Sequence, residues 1–356
     1  MACGAWLELG SVNESARAVC KHGARSPAIR PSSMFTAAAF KTCVMADARK
    51  ATSNPHSVGV LFAVAGKAGF VLSEVLPAVA YLRTGLGIAD AAERRRRNDL
   101  RGTSWALSFE VHLQEVMSPV IGFFDVVRSN LTSTAPSGSP TAHRVKAFKI
   151  QALCAAPFDV TIFLDLDSRP CRPDFASLLV DALGSADIAL TNKYSTQSAV
   201  SSTSAVHWAG NESHNSACVV LNMRSPRTRA LLQCYAAAFA AAVPLASRDQ
   251  PSLSLALRSM ALPSQLSSTH PSSSAQLTPK VVARLAVAAQ KRYGTLRHVD
   301  LTSAVFCRKK LSPVVSCSAG CVLVHKPQKH DIGFKVSRSL FAGRGRRVYP
   351  QDLAPH

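Results

Sequence analysis

The chain has 356 residues, of which 47% are hydrophobic, so it can bury one large core or two modest ones and is not a disordered protein. Its formal net charge of +20 predicts polyanionic neighbours. The basic residues are dispersed apart from Arg94–Arg97 and no nucleic-acid motif accompanies them, which argues against nucleic acid and leaves nucleotide diphosphates or anionic glycans as partners.

Residues 1–57 are rich in Ala, Ser and Arg and poor in acids, which is typical of an unstructured extension or an organellar transit peptide. Asn-X-Ser/Thr triplets at Asn13, Asn130 and Asn211 allow a secretory location instead, although such triplets also arise by chance in Ser-rich chains. No run of residues reaches the length of a membrane span, and the amino terminus has no apolar signal core.

A first α/β unit is predicted from residues 58–83. Val58–Ala65 is an apolar run typical of a buried strand, Gly66–Gly69 forms a turn, and Phe70–Arg83 has apolar residues at helical spacing. This order is typical of nucleotide-binding α/β proteins, although the full GxGxxG pattern is missing and the signal is weak.

Two further strands are predicted next, at Trp105–His112 and at Val120–Phe124, with Asp125 at the end of the second. Arg94–Arg97 is interpreted as a solvated connection. Residues 130–141 are Ser, Thr, Pro and Gly in large part, which indicates a surface loop.

An amphipathic helix is predicted over His143–Ala156. Its apolar residues form one face expected to pack on a sheet: Val145, Phe148, Ala152 and Ala155. Lys146 and Lys149 are expected on the other face.

The stretch Val160–Leu164 is a β-branched and aromatic run, which predicts a strand buried on both faces of an α/β sheet. Asp165 and Asp167 follow at its carboxyl end, where open α/β sheets hold their ligands. Carboxylates at alternate positions of an extended segment point the same way, and their oxygens suit Mg²⁺ or Mn²⁺. A divalent cation bridging the pair to a diphosphate is therefore the first hypothesis.

The second half of the chain is predicted to continue the α/β pattern. The predicted elements are a helix at Pro173–Leu183, strands at Asp187–Thr191 and His214–Asn222, a helix at Ser225–Ala242, a helix beginning near Asp249, a further strand and turn over 298–300 and 305–308, and a strand at 321–325 that ends on His325. Residues 192–215 are expected to form a mobile polar loop, 264–276 a disordered insertion, and 338–356 a basic flexible tail.

Ten cysteines are scattered without a CxxC pair, which argues against a cysteine-based structural zinc site. Cys307, Cys317 and Cys321 lie close enough in sequence for a disulfide in an oxidising compartment, but the pairing stays open.

The segments Lys149–Leu153, Ala156–Asp159 and Phe163–Asp167 together resemble the DxD region of nucleotide-diphospho-sugar transferases of the GT-A fold. Residues 214–222, 248–250 and 321–327 resemble later motifs of that family, with Ala217 in place of the usual glycine. The resemblance implies a single GT-A-like domain over residues 58–337, with a Rossmann-type, mostly parallel sheet flanked by helices.

The resemblance also implies roles for individual residues. The implied ligands of Mn²⁺ or Mg²⁺ are Asp165, Asp167 and His325. The implied donor-binding residues are Ala63, Ala65, Lys149, Asp165 and Lys326, and those for the acceptor or sugar are Glu212, Asn215 and Gln250. Asp249 would act as the base of an inverting transfer, or would orient the sugar in a retaining one.

The expected function is thus a metal-dependent glycosyltransferase that moves a sugar from a nucleotide-diphosphate sugar to a hydroxyl of a glycan, protein or lipid. This class favours the Golgi or secretory lumen, while a transit peptide stays open. Stabilisation of the departing diphosphate is the main chemical need of such a reaction.

Other interpretations of the same residues are a haloacid-dehalogenase-like phosphatase with Asp165 as nucleophile, in which Asp187–Thr191 would mimic a second motif, and a noncatalytic binding protein on the same scaffold. Arg169 stands where the phosphatase motif requires Thr or Val, and the late acidic residues are isolated. Structural interpretations also stay open, since the aspartates at 165 and 167 could cap the helix near Asp174, and Asp249 could cap its own helix.

Overall fold

A computed structural model describes residues 58–97, 103–131, 141–192, 214–241, 249–261, 277–301, 306–308, 317 and 321–325. The predicted extension 1–57, insertion 264–276 and tail 338–356 lie outside these ranges, as do Glu212 and Lys326. No helix within these ranges combines the length and apolarity needed to cross a membrane.

The strands and helices alternate over most of the described chain. The strands are β1 (Val58–Val64), β2 (Ser104–Glu110), β3 (Val126–Leu131), β4 (Val160–Leu164), β5 (Ser168–Pro170), β6 (Ile188–Asn192), β7 (His214–Asn222), β8 (His298–Leu301), β9 (Phe306–Arg308) and β10 (Leu323–His325). The helices are α1 (Ala68–Ala80), α2 (Ala91–Arg96), α3 (Gln114–Ile121), α4 (Thr141–Cys154), α5 (Phe175–Leu183), α6 (Pro226–Ala241), α7 (Gln250–Ala261) and α8 (Leu277–Tyr293).

Among the described residues, the main sheet has seven strands in the order β3-β2-β1-β4-β7-β6-β8. Neighbouring strands are parallel except around β7, which runs antiparallel to both β4 and β6. The predicted α/β class with a mostly parallel sheet is therefore confirmed. Strand β4 lies at the centre, so its carboxyl end lies beside the carboxyl end of β1 and the amino-terminal half of β7.

The sheet separates two hydrophobic layers. Phe163 of β4 packs with α4, α6, α7 and α8 on one face, whereas Ile162 and Leu164 pack with α1, α3 and α5 on the other. This alternation explains why β4 is an unbroken apolar run, since residues on both faces are buried. Burial of each such side chain contributes about 1.5–3 kcal/mol.

A small second sheet, of order β5-β10-β9 in the described chain, follows the central strand. Its strand β10 is antiparallel to β5 and pairs His325 with Ser168. A disulfide joins Cys171, just after β5, to Cys317, and Cys321 is also disulfide-bonded. The expected pairing among Cys307, Cys317 and Cys321 is wrong for Cys317, because its partner is Cys171, 146 residues away in the chain. The β5–β10 strand pairing and the Cys171–Cys317 disulfide both hold the segment that carries His325 beside the turn after β4.

Two predictions in the region of residues 94–124 are wrong. Val120–Phe124 is not a strand, because Val120 and Ile121 belong to the last turn of α3, in which Met117 and Val120 are buried at helical spacing. The strand begins at Val126. The prediction that Arg94–Arg97 form a solvated connection is wrong for Arg94, which lies on α2 and donates to Asp125 at 2.7 Å. Arg95–Arg97 are exposed. Asp125 accordingly precedes a strand and also accepts from the Trp105 amide at 2.9 Å.

Gly59 of β1 is required by close packing. A Cβ atom there would lie 2.3 Å from the ring of the buried Phe158. Gly59→Ala is therefore expected to lower the free energy of unfolding by about 2 kcal/mol. Gly122→Ala is the control, because its Cβ would meet open space and its backbone is helical, and a change within about 0.5 kcal/mol is expected. Urea denaturation measures both, and equal effects would contradict this packing account.

Candidate active site

Asp165 and Asp167 lie on a tight turn between β4 and β5. The Asp165 amide donates to the Ala217 carbonyl of β7 at 2.8 Å, and the Ser168 amide donates to the Asp165 carbonyl at 2.9 Å. The Arg169 guanidinium, largely buried, donates to the carbonyls of Leu166 and Ser168, which flank Asp167. The turn is thus fixed from both sides, and it presents both carboxylates at the edge of the sheet.

Lys149 is buried, which corrects the prediction that it lies on the outer face of α4. Its Nζ donates to Asp165 Oδ1 at 2.9 Å and to the Ser216 carbonyl at 2.7 Å, and it lies 3.4 Å from Asp249 Oδ2. Burial alone would lower the pKa of Lys149, but the two carboxylates raise it above its ordinary value. Lys149 is therefore a fixed cation between two aspartates.

Asp249 directly precedes α7, yet its carboxylate is engaged by other elements. Tyr235 donates to Oδ2 at 2.7 Å, and Lys146 lies 3.7 Å from Oδ1. Burial alone would raise the pKa of Asp249, but Lys149, Lys146 and hydrogen bonds from Tyr235 and Ser216 hold it far below its ordinary value. These contacts favour a positioning role, because so acidic a carboxylate is a weak base.

Asn215 and Gln250 meet beside this ion cluster. Gln250 Nε2 donates to Asn215 Oδ1 at 3.1 Å, and the Ala217 amide donates to the same oxygen at 3.1 Å. The β6–β7 pairing has a register shift at this part of β7, because Leu190 pairs with Val219 but Thr191 pairs with Asn215. Within the described residues, the buried Asn215 Nδ2 has no hydrogen-bond acceptor, so it can donate to a ligand.

His325 approaches the turn from the small sheet. Its Nε2 lies 3.3 Å from Asp167 Oδ1, so residues 158 positions apart in the chain come into direct contact. Asp165, in contrast, is bound to Lys149. Of the described residues, only His214, His298 and Asp300 form a trio of possible metal ligands whose donor atoms all lie within 4.8 Å of one another. The trio of Asp165, Asp167 and His325 is therefore not closed around a common point in this structure.

None of the three acidic residues Asp165, Asp167 and Asp249 acts as a simple helix cap. Asp165 and Asp167 interact with Lys149 and His325, whereas α5 begins at Phe175, far along the chain. Asp249 occupies a cap position by its place in the chain, but its side chain is used in the ion cluster.

A cavity of about 510 Å³ lies near the carboxyl ends of β1 and β2 and the starts of α1 and α4. Its lining includes Gly66, Lys67, Glu110, His112 and Arg144. The buried Glu110 carboxylate accepts from the Gly66 amide at 3.0 Å. The volume falls within the range of small-molecule pockets, and helix N-termini with basic side chains suit an anionic ligand.

The predicted donor residues Ala63 and Ala65 belong to this same edge of the sheet. Leu61 pairs with Phe163, so Ala63 comes level with Asp165 two residues further along the parallel strands. Ala65 is buried against Phe148 of α4 and directly precedes Gly66 of the cavity. Ala65 can therefore be reached by a ligand mainly through its backbone, whereas Ala63 is only half-buried.

Four residues near the site were not predicted. Ser216 and Tyr235 hold Lys149 and Asp249. Glu74 of α1 lies close enough to Asp167 and Arg169 for electrostatic interaction, and burial raises its pKa, with Arg169 opposing and Asp167 adding to that shift. Two of the four had a sequence signal: Glu74 is an acid within an otherwise apolar helix, and Arg169 is a base directly after the paired aspartates.

Comparisons with known proteins add no family assignment. No protein-family model matches the chain, and no curated protein matches it either.

Proposed function

We propose that this protein is a metal-dependent glycosyltransferase that uses a nucleotide-diphosphate sugar. The observation that carries the proposal is the convergence of Asp165, Lys149, Asp249 and the Asp167–His325 pair at the carboxyl edge of the central strand. These groups come from four separate segments. Such a concentration of charge at the ligand-binding edge of an α/β sheet is typical of a site for an anionic substrate.

The donor set suits Mn²⁺ or Mg²⁺. Asp167 Oδ1 and His325 Nε2 are 3.3 Å apart, close enough to share one ion, and Asp165 joins them if it turns from Lys149. A cation bound there would supply Lewis-acid stabilisation of the departing diphosphate. The partly exposed carboxylates leave room for phosphate oxygens, since the Asp167 side chain is 36% exposed.

Lys149 contributes a preorganised positive charge. Its contacts with Asp165, Asp249 and the Ser216 carbonyl fix the ammonium before any ligand arrives, so no reorganisation is needed when negative charge develops nearby. If Asp165 turns toward a cation, one hydrogen of the ammonium becomes available to a phosphate oxygen. Asp249 then keeps Lys149 charged and in place.

The Asn215 Nδ2 hydrogens, which have no acceptor in the described part of the chain, and the neighbouring Gln250 amide provide hydrogen bonds to sugar hydroxyls. The cavity at Gly66 and Glu110 accommodates the nucleoside, because Ala63 links it to Asp165 along the same sheet edge. The nucleoside, the diphosphate and the sugar of the donor would thus contact separate groups of residues along the same edge of the sheet.

A panel of nucleotide sugars tests the proposal. Each is incubated with the protein and Mn²⁺ or Mg²⁺, and released nucleoside diphosphate is measured. At least one sugar nucleotide is expected to be cleaved, and chelation of the metal is expected to abolish the release. No release from any donor, together with cleavage of a phosphomonoester, would instead support the phosphatase with Asp165 as nucleophile.

Asp249→Asn distinguishes positioning from base catalysis. Because the pKa of Asp249 lies far below its ordinary value, no inflection of kcat between about pH 5 and 9 is expected from this group. The variant is expected to have a kcat lowered at least about 10-fold with an unchanged shape of the pH profile. An acidic limb of the pH profile in the wild-type protein that is missing in the variant would restore Asp249 as the base.

A further inference from the structure

A second group of metal-ligating side chains lies at the edge of the main sheet. It consists of His214, the first residue of β7, and His298 and Asp300 of β8. Their donor atoms all lie within 4.8 Å of one another. Strand β6 runs between β7 and β8, so the group joins two strands that are not direct neighbours.

The backbone explains why the three side chains meet. His298 and Asp300 are two residues apart on a strand, so they project from the same face of the sheet. They pair with Ile188 and Leu190 of β6, while His214 pairs with Asn192 further along that strand. The imidazole side chains of His214 and His298 span the distance across β6. Their ring centroids are 6.2 Å apart and their planes are perpendicular.

We propose that His214, His298 and Asp300 bind Zn²⁺. Two imidazoles and one carboxylate form a donor set that zinc uses in proteins, with a further position left to water or another ligand. Ligand atoms around a tetrahedral zinc are about 3.3 Å apart, given Zn–N distances of about 2.0–2.1 Å. His214 Nε2 and Asp300 Oδ1 are already 3.6 Å apart, so small side-chain rotations complete the site.

The proposed ion differs from that of the transferase site in both place and chemistry. Asp165 and Asp167 offer hard oxygen donors that suit Mg²⁺, whereas this group is rich in imidazole nitrogen and suits zinc. His214 is buried and directly precedes Asn215, whose side chain meets Gln250. Zinc would thus fasten β8 to the strand that carries the proposed sugar-binding amide. The zinc site itself does not depend on the transfer reaction.

Zinc titration of the metal-stripped full chain tests the proposal. The Asp167→Asn background removes the other metal site, and isothermal titration calorimetry measures affinity and stoichiometry. A single Zn²⁺ per chain is expected in that background, with Mg²⁺ at equal concentration not competing. Adding His298→Gln or Asp300→Asn is expected to weaken binding at least about 100-fold. Two variants are used so that a folding failure of one leaves the other informative.

The matched control is His112→Gln in the same background, because His112 also lies near a carboxylate, 3.9 Å from Glu110. It is expected to retain zinc affinity. Zinc is also expected to raise the melting temperature of this control but not of the His298 and Asp300 variants. If the background protein binds no zinc, or if both ligand variants bind it as tightly as the control, the three residues form only an ion pair and its neighbour, and the proposal is wrong.

Discussion

Replacing Lys149 with methionine is expected to reduce transfer from the nucleotide sugar by about 10²–10³-fold, the loss typical of removing one preorganised electrostatic group from an active site. Methionine retains the length of the side chain but leaves Asp249 and Asp165 without their shared cation. Since Asp249 is only 2% exposed, the free energy of unfolding at pH 7 is also expected to fall, by about 3 kcal/mol.

The stability difference between wild type and Lys149→Met should depend on pH. The folded pKa of Asp249 lies below its unfolded value of about 3.9, so its contribution is complete above that pH and is lost as pH falls through the folded pKa. Lys149 has a raised folded pKa, so its contribution is complete below about pH 10.4 and is lost as pH rises through the folded value. In the variant, burial without the cation favours protonated Asp249, and the difference should shrink from pH 7 toward pH 4.

Chemical denaturation at pH 4, 5.5 and 7 measures this difference, with Lys291→Met as the control. Lys291 is exposed in the last turn of α8, so its replacement is expected to change stability by less than about 0.5 kcal/mol. A pH-independent difference for Lys149→Met, or wild-type transfer rates, would show that the ion cluster is not coupled as described.

Asp187→Ala is expected to lower the free energy of unfolding by about 3 kcal/mol while leaving nucleotide binding intact at temperatures where the variant is folded. Asp187 is fully buried just before β6 and accepts from Ser225 Oγ at 2.7 Å, Arg227 Nε at 2.8 Å and the Arg297 amide at 2.8 Å. Its removal leaves these donors without their acceptor and loosens α6 and β8 from the sheet.

Asp159→Ala provides the control for this loss. Asp159 pairs with Arg224 at 3.0 Å, but the arginine side chain is 50% exposed, so the pair is expected to contribute less than about 1 kcal/mol. Equal destabilisation by the two variants would contradict the anchoring role of Asp187. Loss of nucleotide binding in folded Asp187→Ala would show that this aspartate acts on the ligand and not only on the fold.

The central strand and its two aspartates could be predicted because the apolar run Val160–Leu164 is buried on both faces, and this produces an unambiguous pattern. Val120–Phe124 is a short apolar run, for which strand and helix give similar patterns. The wider spacing of Leu113, Met117 and Val120, all buried, is helical and would have decided it.

The burial of Lys149 was predicted wrongly because the side chain is charged. Lys149 lies four residues after Val145 and three before Ala152, on the stripe assigned to the apolar face, but its charge suggested solvent. Its burial depends on Asp165 and Asp249, which are distant in sequence. The group of His214, His298 and Asp300 could not be predicted for a related reason. Its residues are distant in sequence and come together only because β7 and β8 both pair with β6 in the sheet.

Calorimetric titration with UDP, GDP, CDP and ADP in turn, with and without Mn²⁺, tests the central claim most directly. At least one nucleoside diphosphate is expected to bind when Mn²⁺ is present, with affinity reduced at least about 10-fold without the metal and by a similar factor in Asp167→Asn. Circular dichroism would verify that the variant is folded. Equally tight binding without metal, or unchanged metal-dependent binding in folded Asp167→Asn, would contradict a diphosphate site built on the paired aspartates.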